Sequence, residues 1–371
     1  MVESIKNRIG LLLGSGITYH ANGPHTDEIT DNIIYGYREL SDKSEQNIRS
    51  FLGFLKCEII KYYEKHDYPR VISYEDLYEI LNSIVNSEVG EWDNPIVDAF
   101  IEKISPRIQN YINNGPIHNT SKNDGRFSSI NSLCQNSRDY ILKILIDKIN
   151  YESRDFDPRK NLYNLTDKYK LDIYTLNHDL LLEKFLCDNQ IEFYDGFKVI
   201  SECLSEWHPL GFKDENNVNM LKLHGSLNWE KDQKVDHGGE VIIKRKDNRQ
   251  YVDPVILVGT FSKMLQYSAK PFIDLLSLFN LRLNKIERLI ISGYSFGDKG
   301  INSIILGWFG SNSQNKIMVI SPSINNLTRS ARPAIGRMLS NDKYKCDEKL
   351  ILIEKKFENV CINDIIKFID N

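Results

Sequence analysis

The segment Arg8–Gly16, RIGLLLGSG, decides the fold. Its first six residues are almost continuously apolar, which is typical of a short strand buried on both faces of a sheet. The strand runs directly into Gly14-Ser15-Gly16, a turn whose backbone N–H groups suit a close approach to a pyrophosphate. A plain tight turn explains this glycine pair about as well. The third glycine of GxGxxG and a ribose-binding acid in a short βαβ unit are both missing, which disfavours an ordinary dehydrogenase.

Short apolar strands alternate with helices from about residue 156 onward, a pattern typical of a parallel sheet. The sequence therefore predicts an α/β protein with a Rossmann-like, doubly wound parallel sheet. The predicted strands after the first are 171–176, 219–224, 254–258, 287–292, 315–320 and 349–355. The predicted helices of this part are 158–169, 180–187, 262–283, 299–309 and 323–339.

Residues 28–150 carry a different pattern, in which apolar residues recur at helical spacing over 45–66. A capping box, Ser73 followed by Asp76, predicts a helix through Val85, and a further helix is predicted at 96–112. A polar linker is predicted at 113–128. We expect a mostly helical insertion, or subdomain, after the first strand, within a single domain spanning 1–371. The insertion should emerge at the carboxyl edge of the sheet, where Phe51, Leu52, Leu55 and Ile59 either bury themselves or contact another subunit.

Composition excludes several classes of protein. A net charge of -4 over 371 residues provides no field that would gather nucleic acid, so no direct nucleic-acid binding is expected. None of the six cysteines forms a CxxC pair, so no structural zinc is expected, and scattered single cysteines suggest a reducing compartment. No stretch approaches the roughly 18 apolar residues of a membrane span, and we expect a cytoplasmic protein.

Three further polar or glycine-rich turns follow predicted strands, and they should share one edge of the sheet with Gly14–Gly16. They are Asn177-His178-Asp179, His224-Gly225-Ser226 and Gly293-Tyr294-Ser295. Each has an ordinary structural explanation as well. Asn, Asp and the later Asp298 are good helix caps, and a lone histidine is more often structural than catalytic.

Taken together, these motifs resemble those of sirtuins. TLNHD at 175–179 resembles the sirtuin TxNxD motif, and KLHGS at 222–226 resembles the run that carries the sirtuin catalytic histidine. GSGIT at 14–18 resembles the glycine-rich start, and GYSFGD at 293–298 stands where sirtuins contact a ribose. The resemblance covers roughly 8–26 and 165–325. It implies NAD as substrate, catalytic roles for Asn177, His224 and Asp179, and NAD contacts from Gly14, Ser15, Gly16, Thr18, Asn177, Gly293 and Ser295.

The departures from sirtuin deacylases are informative. The chain has no Pro-Asp-Phe-Arg segment after the glycine turn, no four-cysteine zinc module and no recognisable acyl-lysine strand. It is more similar to the bacterial sirtuin-like domains of antiphage defence, which hydrolyse NAD during abortive infection. The YDGF segment at 194–197 favours the type that acts with a HerA-type ATPase. From the resemblance and the helical insertion together, we expect the protein to form a homo-oligomer.

Three functions remain open from the sequence: an NAD hydrolase, an NAD-dependent protein deacylase, and a non-catalytic sensor of NAD or ADP-ribose. In the first, Asn177 positions the ribose or the attacking water, and Asp179 orients the loop or the ribose. His224 suits a general base, because an unperturbed imidazole changes its charge near neutrality. We favour the hydrolase.

Overall fold

The structure is a computed structural model, and it describes residues 7–21, 23–36, 42–65, 71–88, 90, 95–112, 127–150, 159–234, 239–245, 253–259, 263 and 266–371. The chain divides into two compact units. The first comprises Met1–Gly23, Asn150–Leu257 and Met264–Asn371, and the second comprises Pro24–Ile149 and Val258–Lys263. In the described residues, no helix has the length and apolarity needed to cross a membrane.

A six-stranded parallel sheet forms the centre of the first unit, as predicted. Its order is β10-β9-β8-β1-β2-β5, so the chain winds outward from β1 in both directions. The reversal lies between β1 and β8, which makes the gap between them the switch point of the sheet, where α/β proteins bind ligands. The strands are β1 (Arg8–Leu13), β2 (Lys170–Thr175), β5 (Val218–Lys222), β8 (Arg288–Ser292), β9 (Lys316–Ser321) and β10 (Leu350–Glu354).

Helices cover both faces of this sheet because its strands are apolar on both sides. Leu12 joins one hydrophobic cluster, whereas its neighbours Leu11 and Leu13 join the other. The Leu12 side is closed by α8 (Phe272–Leu283), α9 (Lys299–Ser311), α10 (Ile324–Ser330) and α11 (Pro333–Leu339), together with the short α12 (Asp342–Cys346). The other side is closed by α6 (Arg159–Lys168), α7 (Leu181–Asp188) and α13 (Ile362–Asp370). The doubly wound fold is therefore confirmed.

A second, antiparallel sheet of four strands was not predicted. Its order is β3-β4-β7-β6, formed by Phe197–Val199, Leu204–Trp207, Gly239–Arg245 and Trp229–Lys234. Three of its strands carry no apolar run like those of the parallel sheet, as in WEKDQK, and Gly239–Arg245 has only a short one, VII at 241–243. Pairing across the sheet and a cluster of aromatic rings, including Trp229 within 5.0 Å of Phe197 and 5.7 Å of Trp207, hold them instead.

Three predicted elements differ from the structure. Residues 254–258 form no strand but an irregular segment with one bridge, Gly225 to Ile256. Of the helix predicted at 262–283, the described residues Lys263 and Gln266 are helical, residues 267–271 form turns and a bend, and a continuous helix runs over Phe272–Leu283. The helix predicted at 323–339 is two helices, α10 and α11, because Pro333 forces Arg332 into an extended conformation (ψ 144°).

The second unit is helical, as expected for the insertion. Its helices are α1 (Thr26–Tyr35), α2 (Lys43–Glu64), α3 (Tyr74–Glu88), α4 (Pro95–Ile108) and α5 (Ile130–Ile149). Most of the linker predicted at 113–128 lies outside the described residues. Phe51, Leu52 and Leu55 are fully buried in the fold and Ile59 is partly buried, so the apolar face of α2 is not a free surface for a partner.

Candidate functional site

The four motifs share one edge of the parallel sheet. Leu13 at the end of β1 is level with Thr175 of β2 on one side and with Ser292 of β8 on the other. Thr175 is in turn level with Lys222 at the end of β5. The turns that follow these four residues therefore all begin at the same height, beside the switch point.

The two glycine turns on either side of the switch point interlock through their backbones. A Cβ added to Gly14 would lie 2.4 Å from the carbonyl oxygen of Gly293, and one added to Gly293 would lie 2.5 Å from the nitrogen of Ile17. Gly293 also has φ +69°, a conformation that favours glycine. Close packing of the two turns is therefore enough to require glycine at these positions, which agrees with the alternative of a plain tight turn.

Several polar groups in these turns already form hydrogen bonds within the protein. The N–H of Gly14 donates to Ser292 O (3.0 Å), and that of Gly16 donates to Gly293 O (2.9 Å). The hydroxyl of buried Thr18 donates to Ser15 O at 2.9 Å. The side chains of Ser15 and Ser295 are exposed. The contact of these residues with a phosphate or a ribose stays a prediction, and the exposed serines are the groups best placed to make it.

Asn177 lies in the turn between β2 and α7, where its own N–H faces the Thr175 hydroxyl at 3.1 Å. Its side-chain Oδ1 atom is buried and has no hydrogen-bond partner among the described residues. A buried acceptor without a donor costs free energy and is rare in folded proteins. This oxygen is therefore suited to accept a hydrogen bond from a ligand hydroxyl or a bound water.

Asp179 lies one residue before Leu180, the N-cap residue of α7, and its Oδ1 atom accepts from the N–H of Leu181 at 3.0 Å. Burial raises the pKa of the Asp179 carboxyl above its ordinary value, and the nearby Lys222 ammonium partly offsets this rise. Sequence analysis missed Lys222. Its ammonium donates to the backbone carbonyl of Asp179 and forms an ion pair with Glu183 at 2.7 Å, with only 2% of the Lys222 side chain exposed. This contact ties the end of β5 to the Asn177 turn.

His224 lies at the centre of a polar triangle. Its Nε2 atom is 3.0 Å from the Tyr267 hydroxyl and 3.1 Å from Asp298 Oδ2. The Tyr267 hydroxyl donates to the same Asp298 oxygen at 2.9 Å. The side chains of His224 and Asp298 are only 7% and 6% exposed. Sequence analysis missed Tyr267 and took Asp298 for a helix cap. Asp298 is also that cap, since its Oδ1 atom accepts from the N–H of Ile301 at 3.0 Å.

The His224 turn is built against the Asn177 turn. The N–H of Leu227 donates to His178 O at 3.0 Å, and the His178 and His224 rings lie 6.2 Å apart. In the described structure, the buried Ser226 hydroxyl and the Asn228 amide oxygen, like Asn177 Oδ1, have no hydrogen-bond partner. The two turns thus present several polar atoms that a polyhydroxylated ligand could satisfy.

No group of three or more His, Cys, Asp or Glu side chains that could hold a metal ion occurs among the described residues. The free cysteines are Cys57, Cys134, Cys187, Cys203, Cys346 and Cys361. The expectation that the protein binds no zinc stays a prediction, which elemental analysis can test.

Comparison with known proteins adds three findings. The chain resembles a solved complex of 2'-O-acetyl ADP-ribose with a triple mutant described as Sir2 homologues, with 12% identity, a TM-score of 0.39, and coverage of 98% of this chain and 92% of that one. A structure described as the structural basis for the mechanism and regulation of Sir2 enzymes gives 12% identity, a TM-score of 0.38, and coverage of 98% and 93%. No curated protein matches the chain. Residues 172–335, which include Asn177, His224, Gly293 and Ser295, match the family described as SIR2-like domain.

Proposed function

We propose that this protein is an NAD hydrolase that cleaves the bond between nicotinamide and ribose to give nicotinamide and ADP-ribose. The observation that carries the proposal is the placement of Asn177 and His224 on adjoining turns beside the switch point, with Asn177 Oδ1 buried and without a protein partner in the described structure. The match to the SIR2-like domain family supports NAD as the ligand.

The reaction requires the protein to position the ribose and the attacking water and to accept one proton. Cleavage passes through a state with positive charge on the ribose, and nicotinamide leaves with the bonding electron pair. Asn177 fixes the ribose hydroxyls or the attacking water through its unpartnered oxygen. His224 acts as general base and takes the proton that the water loses as it attacks. Asp179 stabilises the Asn177 turn. The positions of the phosphates and the distal ribose are shaped by Gly14, Gly16, Gly293, Ser15 and Ser295.

The biological setting that we propose is antiphage defence by depletion of the cytoplasmic NAD pool. The support is the similarity to bacterial sirtuin-like defence domains, together with the missing CxxC pairs and Pro-Asp-Phe-Arg segment of deacylases. We also propose a homo-oligomer and a HerA-type ATPase as partner. Phage challenge of cells that express the protein, alone and with such an ATPase, tests this setting through cellular NAD and phage yield.

Incubation with NAD, with and without an acetylated peptide, tests the activity itself. We expect free ADP-ribose without peptide. Acetyl transfer to ADP-ribose would instead identify a deacylase, and binding without turnover a sensor. Asn177→Ala and His224→Ala should each reduce NAD cleavage by about 10²-fold or more, with unchanged circular dichroism. Turnover at the wild-type rate in both folded variants would contradict the assignment.

A further inference from the structure

The carboxylate of Asp298 does more than cap a helix. Its two oxygens have different partners. Oδ1 accepts from the N–H of Ile301, and Oδ2 faces His224 and Tyr267. All of these groups belong to the same unit. A cap needs only one oxygen. The second oxygen, buried against two further polar side chains, therefore requires another explanation.

Counting protons assigns the tautomer of His224. Tyr267 has a single hydroxyl proton, and it donates that proton to Asp298 Oδ2. The Nε2 atom of His224 thus faces two oxygen atoms, the hydroxyl at 3.0 Å and the carboxylate at 3.1 Å, which can only accept from it. An unprotonated Nε2 would set its own lone pair against the lone pairs of both oxygen atoms in a buried site. In the neutral imidazole the proton must therefore be on Nε2, which makes Nδ1 the basic nitrogen.

We infer that Asp298 and Tyr267 are positioning residues that hold His224 in the Nε2–H tautomer and thereby make its Nδ1 atom the proton acceptor of the reaction. The inference rests on the proposed function only in naming the reaction. When Nδ1 takes the proton from the attacking water, the ring becomes positively charged. The adjacent Asp298 carboxylate stabilises that charge without itself changing protonation state.

Asp298→Asn separates this role from capping. The variant keeps an oxygen for the N–H of Ile301, and its amide nitrogen then replaces the oxygen that faces Nε2. That nitrogen is a donor, so Nε2 must become the acceptor and the ring proton moves to Nδ1. The basic nitrogen is then Nε2 and no longer Nδ1, which we infer to be the proton acceptor. We expect kcat for NAD hydrolysis to fall by about 10²-fold or more with KM little changed.

Tyr267→Phe provides a graded comparison, because it leaves the carboxylate to accept from Nε2 and removes only a neutral hydrogen bond. We expect about a tenfold loss of kcat or less. Asp42→Asn is the matched control. Asp42 is also a cap whose Oδ1 atom accepts a backbone N–H, that of Ser44 at 2.8 Å, but it belongs to the helical unit. It should leave kcat unchanged.

Nitrogen NMR of protein labelled with ¹⁵N-histidine tests the tautomer without reference to activity. The His224 signals are identified by their loss in His224→Ala. We expect a protonated Nε2 and an unprotonated Nδ1 in the wild type and in Tyr267→Phe, and the reverse in Asp298→Asn. A wild-type His224 with its proton on Nδ1, or an unchanged tautomer in folded Asp298→Asn, would overturn the inference. If Asp298→Asn does not fold, the wild-type spectrum still decides the matter. Absence of NAD cleavage by the wild type would count against the proposed function and leave the tautomer result standing.

Discussion

Gly225 shows, at the scale of a single residue, how tightly the His224 turn is built. Its φ is +82°, and a Cβ at this position would lie 2.0 Å from the carbonyl oxygen of Val255. The carbonyl cannot retreat easily, because it accepts from the N–H of Ser226 at 3.2 Å. A side chain here must displace backbone on both sides of the turn that carries His224.

We therefore predict that Gly225→Ala lowers the free energy of unfolding by more than about 1 kcal/mol, since alanine at positive φ is strained even without a clash. It should also reduce NAD cleavage. Urea unfolding followed by circular dichroism measures the first effect. If the variant is as stable as the wild type, the turn is not held as described.

Gly307 offers the matched control. It lies in the interior of α9, and nothing would come within 4 Å of an added Cβ. Gly307→Ala should raise the free energy of unfolding by roughly 0.5–1 kcal/mol, because glycine is a poor helix former. Opposite signs for the two substitutions would show that position, and not loss of glycine as such, determines the outcome.

At this same scale, sequence analysis found only part of the site. Asn177 and His224 stand in local motifs, so a short stretch of sequence was enough to mark them. Tyr267 and Asp298 lie 43 and 74 residues from His224 along the chain, and no spacing connects them. Lys222 was visible in KLHGS but reads as an ordinary strand residue until its contact with the Asp179 carbonyl is known.

Among the elements, a buried ion cluster joins β1, β2, β5 and α8. Asp172 of β2 is fully buried, and its Oδ1 atom accepts from Arg8 at 2.7 Å, from Arg282 at 2.9 Å and from Asn219 at 3.0 Å. The carboxylate lies between the two guanidinium groups. Its charge therefore compensates two cations that are largely removed from water.

We predict that Asp172→Asn lowers the free energy of unfolding by about 3 kcal/mol or more, because it removes the buried negative charge that both arginines share and leaves Arg282 with the largely exposed Asp214, at 3.5 Å. Chemical denaturation measures the loss. Asp342→Asn is the control, since Asp342 also pairs with a cation, Lys345 at 3.1 Å, but its side chain is 88% exposed. An exposed pair contributes about 1 kcal/mol or less. Equal losses in the two variants would show that burial of the Asp172 cluster does not matter.

Elements with a distinctive local sequence pattern were predicted well. Elements that form through pairing with distant segments were not. The strands of the parallel sheet are apolar on both faces, so they stood out in the sequence and were placed within a few residues. The antiparallel sheet depends on pairing between β4 and β7, about 40 residues apart, and three of its four strands carry no apolar run. Pro333 was visible in the sequence, but the helical spacing around it outweighed it in the prediction.

Viewed as a whole molecule, the protein combines an α/β unit that carries the candidate site with a separate helical unit. The prediction that assembly controls activity belongs to this scale. The buried face of α2 no longer motivates it, but the helical unit exposes Tyr35, Tyr62 and Val71. We predict that the specific rate of NAD hydrolysis changes with protein concentration or when the cognate partner is added.

Light scattering and a dilution series test this together. A rate that follows assembly would support the prediction. A monomer at micromolar concentration whose rate is strictly proportional to its concentration, with or without partner, would exclude it and leave the catalytic assignment intact. Tyr35→Ser and Val71→Ser, both on exposed positions, test whether this surface takes part.

The central place of β1 in the sheet also has a consequence for synthesis on the ribosome. Gly10 pairs with Asp172 and with Leu289, which are 162 and 279 residues later in the chain (172 minus 10 and 289 minus 10). At a translation rate of about 5–20 residues per second, the nascent first strand waits roughly 14 to 56 seconds for its second neighbour. Until β2 is made, roughly 8 to 32 seconds after the first strand, the apolar residues of that strand have no sheet to join, although Pro24–Ile149 of the helical unit have been made by then. This central strand is thus a part of the nascent chain that needs protection while the residues up to β2 are made, and chaperones that bind short apolar segments would find a target in Arg8–Leu13.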